Sequence, residues 1–331
     1  MCLYPRIIRN RKYTINDKNG GNVPECKDKR TLYVPIGCGN CMECRRQKAG
    51  AWKVRMMEDI RVNKNAMFIT FTFSEHELQK IDKEIRKLKG YDRDNEITRI
   101  AVRRFTERWR KKYGRTIRHW LVTELGHKGT ERIHLHGIVW TDEDIKEVRR
   151  VWKYGKVVKG DGKGKHYVNE ESIGYIVKYI SKVDKMHENY KSKIYASKGL
   201  GSEYLKRNNA KLNEYKEDGT DETYRTRRGW KLGLPIYYRN KLYSEEEREK
   251  LWIEKLDKQV RYVDGVEIDI SKNEDEYWKK LDEVRKKNKR LGYEVDESWE
   301  KKKYENQRRN LKRWERIQKL YGKESGQIGR K

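Results

Sequence analysis

Three runs of β-branched and aromatic residues constrain the fold of this chain more than any other feature. The runs are MFITFTF (67–73), IRHWLVTEL (117–125) and RIHLHGIVW (132–140). Such runs favour β-strands. The segment between the first two carries apolar residues at helical spacing, namely Ile97, Ile100, Ala101 and Phe105. The order β, α, β, β predicts an α+β fold with a central antiparallel sheet and flanking helices.

The composition changes along the chain and predicts three regions. Residues 1–65 begin with a Cys-containing loop and continue into a basic amphipathic helix, in which Trp52 and Met56 recur at helical spacing. Residues 66–205 contain the strand-like runs. Residues 206–331 are polar and lysine-rich, and they predict a basic, mostly helical C-terminal extension.

The charge of the chain limits the classes of partner. The sequence has 81 Lys and Arg against 52 Asp and Glu, a formal net charge of +29. Such a charge attracts polyanions, so nucleic acid is the leading partner and an anionic membrane surface is the rival. No apolar run of about 18 residues occurs, and the N-terminal MCLYPRIIRNRKY lacks the apolar core of a signal peptide. We therefore expect a cytosolic protein with no membrane partner.

Two histidines in the third run form a candidate metal site. His134 and His136 are two residues apart, so on a strand their side chains point to the same face, about 7 Å apart along the backbone. Glu124 lies ten residues earlier, and a Gly-containing segment between them indicates a hairpin. Glu124 is therefore expected opposite the pair. Two imidazoles and a carboxylate suit Mg²⁺ or Mn²⁺; the alternative is a pair of surface histidines without a ligand.

A later helix repeats one pattern of residues. GYIVKYISK (174–182) contains Tyr175 with Lys178 and Tyr179 with Lys182, each a tyrosine followed three residues later by a lysine. Helical periodicity places these side chains away from an apolar stripe formed by Ile173, Ile176, Val177 and Ile180. Asn169 stands where an N-cap is expected. The tyrosines are candidate nucleophiles, and packing on a half-buried face is the alternative.

The cysteines concentrate near the N-terminus. CGNCMEC contains Cys38, Cys41 and Cys44, with Cys26 or Cys2 available as a fourth thiolate. Four thiolates with this first spacing are typical of a structural Zn²⁺ site, although Cys44 as an ordinary buried thiol is the alternative. Five cysteines without a secretion signal do not indicate a disulfide framework.

The strand FITFTF, the histidine pair and the two-tyrosine helix resemble, in this order, the three motifs of HUH endonucleases. The two-tyrosine helix is most similar to that of the replication initiators of microviruses. MCLYPRIIRN, VPIGCGNCMECRRQKAGAWKVR and SKGLGSEY resemble the gokushovirus branch of these single-stranded DNA phages. The similar stretches span roughly residues 1–240, and the lysine-rich segment after about residue 245 matches no motif.

The resemblance implies a fold and an activity. Residues 66–205 would form an HUH endonuclease core of the ferredoxin or RRM-like type. His134 and His136, with Glu124, would hold the metal, and Tyr175 or Tyr179 would nick origin DNA to leave a 5′-phosphotyrosyl link and a free 3′-hydroxyl. Lys178 and Lys182 would favour the phenolate and grip phosphate. The implied partners are the phage origin and the host replication helicase and polymerase, in the bacterial cytoplasm.

Two alternative functions stay open at the level of sequence. A transposase or plasmid relaxase would share the HUH chemistry and would differ in the strands that it joins. A non-catalytic basic protein would bind nucleic acid through charge alone. Only a catalytic protein would form a covalent, metal-dependent adduct with single-stranded DNA.

Overall fold

The computed structural model describes residues 2–85, 88–127, 131–160, 168–187 and 190–327, with side chains described up to residue 317. The chain forms two compact units. One unit is Arg46–Leu242, and the other combines Met1–Arg45 with Tyr243–Lys331. The division into regions 1–65, 66–205 and 206–331 stays a prediction.

Strands and helices alternate along most of the chain. The strands are β1 (Arg6–Arg9), β2 (Tyr33–Ile36), β3 (Ala66–Phe71), β4 (Arg118–Leu125), β5 (Ile133–Trp140), β6 (Val157–Lys159), β7 (Ile194–Ala196), β8 (Thr223–Arg225), β9 (Lys231–Gly233), β10 (Val260–Val263) and β11 (Val266–Asp269). The α-helices are α1 (Met42–Val62), α2 (Glu75–Asp82), α3 (Gly90–Tyr113), α4 (Ile145–Trp152), α5 (Glu170–Ser181), α6 (Asn208–Lys211), α7 (Ile236–Leu242), α8 (Glu245–Asp257), α9 (Asp275–Arg290) and α10 (Lys301–Gln327).

A five-stranded antiparallel sheet forms the centre of the unit Arg46–Leu242. Its strand order is β6-β3-β5-β4-β7, and every neighbouring pair is antiparallel. The three apolar runs of the sequence form β3, β4 and β5, which are the three inner strands. The predicted α+β fold with an antiparallel sheet and flanking helices is therefore confirmed.

Both faces of the sheet are covered, because side chains alternate between the faces along each strand. On one face Ile69, Phe71 and Leu135 pack in a core with Phe105 of α3 and Trp152 of α4. The opposite face carries a second core, built from these residues of the sheet, α1 and α5: Phe68, Trp120, Val122, Ile138, Trp140, Met56, Ile173, Ile176, Val177 and Ile180. The two tyrosines and the two histidines belong to this second side of the sheet.

Gly137 lets the inner strands approach closely. A Cβ atom at this position would lie 2.1 Å from the Trp120 carbonyl oxygen and 2.8 Å from the Leu121 Cα. Any side chain would therefore push β4 and β5 apart. The glycine thus keeps β5, and the two histidines that it carries, close to β4.

The tyrosine helix α5 begins as the sequence predicts. The Asn169 side chain accepts a hydrogen bond from the Ser172 amide, and the Ser172 side chain accepts one from the Asn169 amide, which completes a capping box. The predicted apolar stripe is buried against the sheet. One strand of the predicted Gly-rich hairpin is β6; residues 161–167 of that prediction lie outside the described residues.

The second unit contains two hairpins, β1–β2 and β10–β11, together with α8, α9 and α10. The β10–β11 hairpin turns at Asp264 and Gly265, with φ of 51° and 83°. Asp-Gly is a preferred pair for a tight turn with positive φ at both positions. Within the described ranges, no helix combines the length and apolarity that a membrane crossing needs.

Candidate active site

The register of β4 and β5 brings three predicted site residues together. Glu124 is paired with His134 across the two strands, and His136 is paired with Val122. All three side chains therefore lie on the sheet face that α5 covers. Each is partly buried, with exposed fractions of 16% for Glu124, 20% for His134 and 15% for His136.

The ligand atoms of this trio converge on one point. Glu124 Oε2 lies 3.2 Å from His134 Nε2 and 3.0 Å from His136 Nε2. One ligand atom from each residue lies within 4.8 Å of the others. The imidazole rings meet edge to face, with centroids 4.7 Å apart. This spacing is suited to a single ion bound by two nitrogens and one oxygen.

The outer nitrogens of the two rings are also held. His134 Nδ1 lies 3.2 Å from the Arg132 carbonyl oxygen, and His136 Nδ1 lies 2.9 Å from Thr70 Oγ1. A carbonyl oxygen only accepts, so His134 Nδ1 carries a hydrogen, and in the neutral ring Nε2 presents a lone pair. That lone pair faces the carboxylate of Glu124, which is also an acceptor. A proton or a cation must lie between them, so the donor set fits a divalent ion.

Electrostatics favours the ligand forms of Glu124 and His136. Burial on its own would raise the pKa of Glu124, but hydrogen bonds and charge from His134 and His136 outweigh it and hold the pKa below its usual range. Burial lowers the pKa of His136, although its hydrogen bond to Glu124 acts in the opposite direction. An ionised carboxylate and a neutral imidazole are the forms that bind metal.

The tyrosines of α5 lie next to the histidine pair. The Tyr179 ring stacks on the His136 ring with centroids 4.6 Å apart, and the Tyr179 hydroxyl donates to the Tyr175 hydroxyl over 3.1 Å. Tyr175 is 45% exposed. Burial, the hydrogen bond with Tyr175 and the charge of Glu124 all raise the pKa of Tyr179. The resting site therefore holds Tyr179 as a neutral phenol.

The two lysines of the repeated pattern occupy different positions. Lys182 Nζ lies 3.2 Å from Glu124 Oε1, so this ammonium group contacts the carboxylate of the trio. Lys178 is exposed on α5. The sequence pattern treats the two lysines alike, whereas the structure places only Lys182 in contact with a candidate ligand.

A cleft opens beside the histidines on the same unit. It has a volume of about 550 Å³ and is lined by Thr70, Thr72, His134, His136 and Lys156, among others. Lys156 is exposed and follows α4 in the chain. A cleft with a cation and a candidate metal site in its wall is suited to an anionic, extended ligand such as a nucleic acid strand.

Residues 66–184 match the model of a family described as replication-associated proteins of the ORF2 type. This segment contains the sheet strands β3 to β6, the trio and both tyrosines. The match supports a rolling-circle replication initiator that binds DNA. No curated protein and no solved structure shows a significant match to the chain.

Sequence reasoning gave Thr70 too little weight. Thr70 was expected to fill a strand or to face the active side of the sheet; it faces that side and contacts His136 Nδ1. The strand alternation was visible in the sequence, but the pairing of Thr70 with His136 depends on the β3–β5 register. Thr72, the other candidate, hydrogen-bonds to the Lys156 backbone.

A second cluster was missed altogether. His127, Asp184 and His187 come together at the ends of segments far apart in the sequence, with His187 Nδ1 2.7 Å from Asp184 Oδ2. Asp184 also accepts hydrogen bonds from the amides of Met186 and His187. Asp184 therefore stabilises the turn that follows α5.

The cysteines divide differently from the primary prediction. Cys38, Cys41 and Cys44 are joined by Cys2, and the four sulfurs lie within 4.8 Å of one another. Cys26 is elsewhere: its Sγ lies 3.0 Å from the Asp28 carbonyl oxygen and 3.5 Å from Thr31 Oγ1. Of the two fourth thiols that the sequence offered, the structure brings Cys2 to the group.

Proposed function

We propose that the protein is a metal-dependent endonuclease and strand transferase that nicks single-stranded DNA with a tyrosine nucleophile to initiate rolling-circle replication. One observation carries the proposal: Tyr179 stacks on His136, whose Nε2 converges with His134 Nε2 on Glu124 Oε2. A nucleophile thus adjoins a candidate ion site in one contact. The family match over residues 66–184 supports the same class of protein.

Glu124, His134 and His136 would hold Mg²⁺ or Mn²⁺, and such an ion would supply Lewis-acid polarisation of the scissile phosphate. The chain itself prepares the ligands. Thr70 and the Arg132 carbonyl hold the outer nitrogens of the two rings, so that both Nε2 atoms point inward. Lys182 neutralises part of the charge on Glu124.

The tyrosine performs a phosphodiester exchange. Its Oη forms a bond to phosphorus while the bond from phosphorus to the 3′-oxygen breaks, and the phenolic proton is lost as the 3′-oxygen gains one. The products are a 5′-phosphotyrosyl link and a free 3′-hydroxyl that a polymerase can extend. Because one phosphoester replaces another, the bond is conserved and the reverse reaction can reseal the strand.

Two features of the site prepare the tyrosine hydroxyls. The Tyr179 hydroxyl already donates to Tyr175, which gives its proton a first acceptor. The charge of Glu124 contributes to the raised pKa of Tyr179. Positive charge placed next to Glu124 reduces this contribution and favours the phenolate.

The proposed substrate is the replication origin of a single-stranded DNA phage of the microvirus type, and the proposed partners are the host helicase and polymerase. The net charge of +29 supports binding to a DNA backbone. The resemblance of the N-terminal and Cys-containing segments to gokushovirus initiators supports this origin. We place the reaction in the cytoplasm of the host bacterium.

The test is adduct formation with a pool of single-stranded oligonucleotides of random sequence, labelled at the 3′ end in one sample and at the 5′ end in the other. We expect the 3′ label to stay with the denatured protein only when Mg²⁺ or Mn²⁺ is present, and the 5′ label to appear in a shorter free strand. DNA binding without an adduct would instead support the non-catalytic protein. Label transfer from the 5′ end would contradict the proposed chemistry.

A further inference from the structure

Four thiols from two separate segments meet in the unit that combines the first 45 residues with the C-terminal segment. Cys2 Sγ lies 3.9 Å from Cys41 Sγ, and Cys38 Sγ lies 4.0 Å from Cys44 Sγ. The five cysteines form no disulfide. A tetrahedral ion with Zn–S bonds of about 2.3 Å places its sulfurs about 3.8 Å apart. The observed separations match this value.

Backbone amides converge on the same sulfurs. Cys2 Sγ accepts from the amides of Tyr4 at 3.3 Å and Cys38 at 3.2 Å. Cys38 Sγ accepts from Cys41 at 3.3 Å, and Cys41 Sγ accepts from Leu3 at 3.5 Å. Amide donors stabilise a thiolate over a thiol, and a thiolate is the form that binds metal.

The loop between the segments is built for close approach. A Cβ atom at position 37 would lie 3.0 Å from Cys44 Sγ, so Gly37 leaves room for that sulfur. Gly39 has a φ of 84°, which permits the turn between Cys38 and Cys41. Cys41 directly precedes α1, where the helix N-terminus favours negative charge.

We infer that Cys2, Cys38, Cys41 and Cys44 bind one structural Zn²⁺ ion, separate from the proposed catalytic metal. Four soft thiolates select zinc over Mg²⁺ or Mn²⁺, and four protein ligands leave no open position for a substrate. Cys26, the alternative fourth ligand, is engaged with Asp28 and Thr31.

The site fastens the start of the chain to a core made by its C-terminal segment. Leu3 and Met42, each next to a ligand, pack in one apolar cluster with Tyr277 and Leu281 of α9. Arg285 of α9 donates to the Leu3 carbonyl oxygen over 2.9 Å and 2.7 Å. Metal binding would therefore be linked to the folding of this unit, because the ligands come together only when these segments pack.

The test is elemental analysis of the full-length protein, purified without added chelator, beside three variants. We expect about one zinc per chain in the wild type and in the control Cys26→Ser, and a loss of at least about tenfold in Cys41→Ser. His134→Ala/His136→Ala should keep its zinc while losing DNA cleavage. This variant separates failure of the zinc site from failure of the proposed function.

A second measurement keeps the test decisive if Cys41→Ser does not fold. The folded wild type is titrated with a mercurial reagent while a colorimetric chelator reports released zinc, and release should be complete when four thiols have reacted. Wild-type protein with no zinc, or with iron and inorganic sulfide, would overturn the inference. Zinc that disappears in the His134→Ala/His136→Ala variant and persists in Cys41→Ser would overturn it as well.

Discussion

The Tyr179 ring lies parallel to the His136 imidazole, with an angle of 12° between their planes and 4.6 Å between their centroids. Tyr175 contacts the same group only through Tyr179, by a hydroxyl–hydroxyl hydrogen bond and an edge-to-face ring contact. The repeated tyrosine pattern of the sequence therefore has an inner and an outer member. Their different positions give the two tyrosines different expected roles.

Removing either histidine should abolish cleavage and leave DNA affinity nearly unchanged. His134→Ala or His136→Ala deletes a candidate metal ligand, whereas affinity depends on dispersed lysines and arginines. Adduct formation and filter binding are measured on the same preparations. The control is His76→Ala, since His76 is exposed on α2 and lies outside the trio. Equal loss of binding and cleavage in the two site variants would argue against a metal site.

Thr70→Val should weaken metal affinity by about 10-fold or more without unfolding the protein, because outer-shell partners of ligands typically have effects of this size. Valine keeps the shape of threonine and removes the oxygen that contacts His136 Nδ1. Metal-dependence curves for cleavage measure the change, and excess metal should restore most of the rate. Thr72→Val is the control, because Thr72 bonds to the Lys156 backbone. Identical curves for the two variants would mean that Thr70 only fills its strand.

Glu124→Gln should lower the pKa of Tyr179. Burial contributes most to raising this pKa, and the charge of Glu124 adds to it, so removal of that charge reverses only part of the shift. Carbon-13 NMR of labelled tyrosine, assigned with Tyr179→Phe, follows the titration. Tyr277, whose pKa is raised to about 12 chiefly by burial, is the internal control and should not change. A Tyr179 pKa that stays constant in Glu124→Gln would contradict the proposed coupling.

The raised pKa of Tyr179 also has a consequence for stability. A phenol whose pKa is higher in the folded state stabilises the fold below the unfolded pKa of about 10, and this contribution is lost as the pH rises through the folded pKa. Tyr179→Phe should therefore lose less stability than the wild type between neutral pH and strongly alkaline pH. Urea unfolding at a series of pH values measures this difference.

The sequence was sufficient for the local parts of the catalytic face. Strand propensity located β3, β4 and β5, and the capping residue Asn169 with its apolar stripe located α5. Alternation along β5 put His134 and His136 on one face. Each of these features depends on residues close together in the chain, which is why pattern and propensity were enough.

Other contacts depend on register or on distant segments. The Thr70–His136 contact requires the β3–β5 register, and the choice of Cys2 over Cys26 requires the fold of the N-terminal segment. The packing of Leu3 against Leu281 joins the two ends of the chain, for which no local pattern exists. The β10–β11 hairpin is different, because the Asp264-Gly265 pair between alternating residues was a readable signal that the helical interpretation of this region missed.

Lys182→Met should raise metal affinity and lower the cleavage rate at saturating metal. The Lys182 ammonium competes with a bound cation for Glu124, and a half-exposed ion pair contributes little, so we expect an increase of about two- to fivefold. The rate should fall because one cation near the phosphate is lost. Lys185→Met removes an equal charge from an exposed position and serves as the control. Lower metal affinity in Lys182→Met would exclude competition for Glu124.

The two tyrosines should differ in the first cleavage and cooperate in the full cycle. Tyr179 contacts His136 directly, so Tyr179→Phe should reduce the first adduct more than Tyr175→Phe does. Rolling-circle replication needs one transfer to open the circle and another to close the displaced strand. A pair of tyrosines one helical turn apart can hold one 5′ end while attacking a second site.

The measurement combines a single-turnover adduct assay with a cleave-and-rejoin assay that yields joined strands. Each single variant should retain some adduct and lose most of the joined product, whereas Tyr175→Phe/Tyr179→Phe should form no adduct. Tyr113→Phe is the control, because Tyr113 bonds to Glu147 on the other side of the sheet. If Tyr175→Phe completes the whole cycle at the wild-type rate, Tyr175 only supports Tyr179, and a single nucleophile serves both transfers.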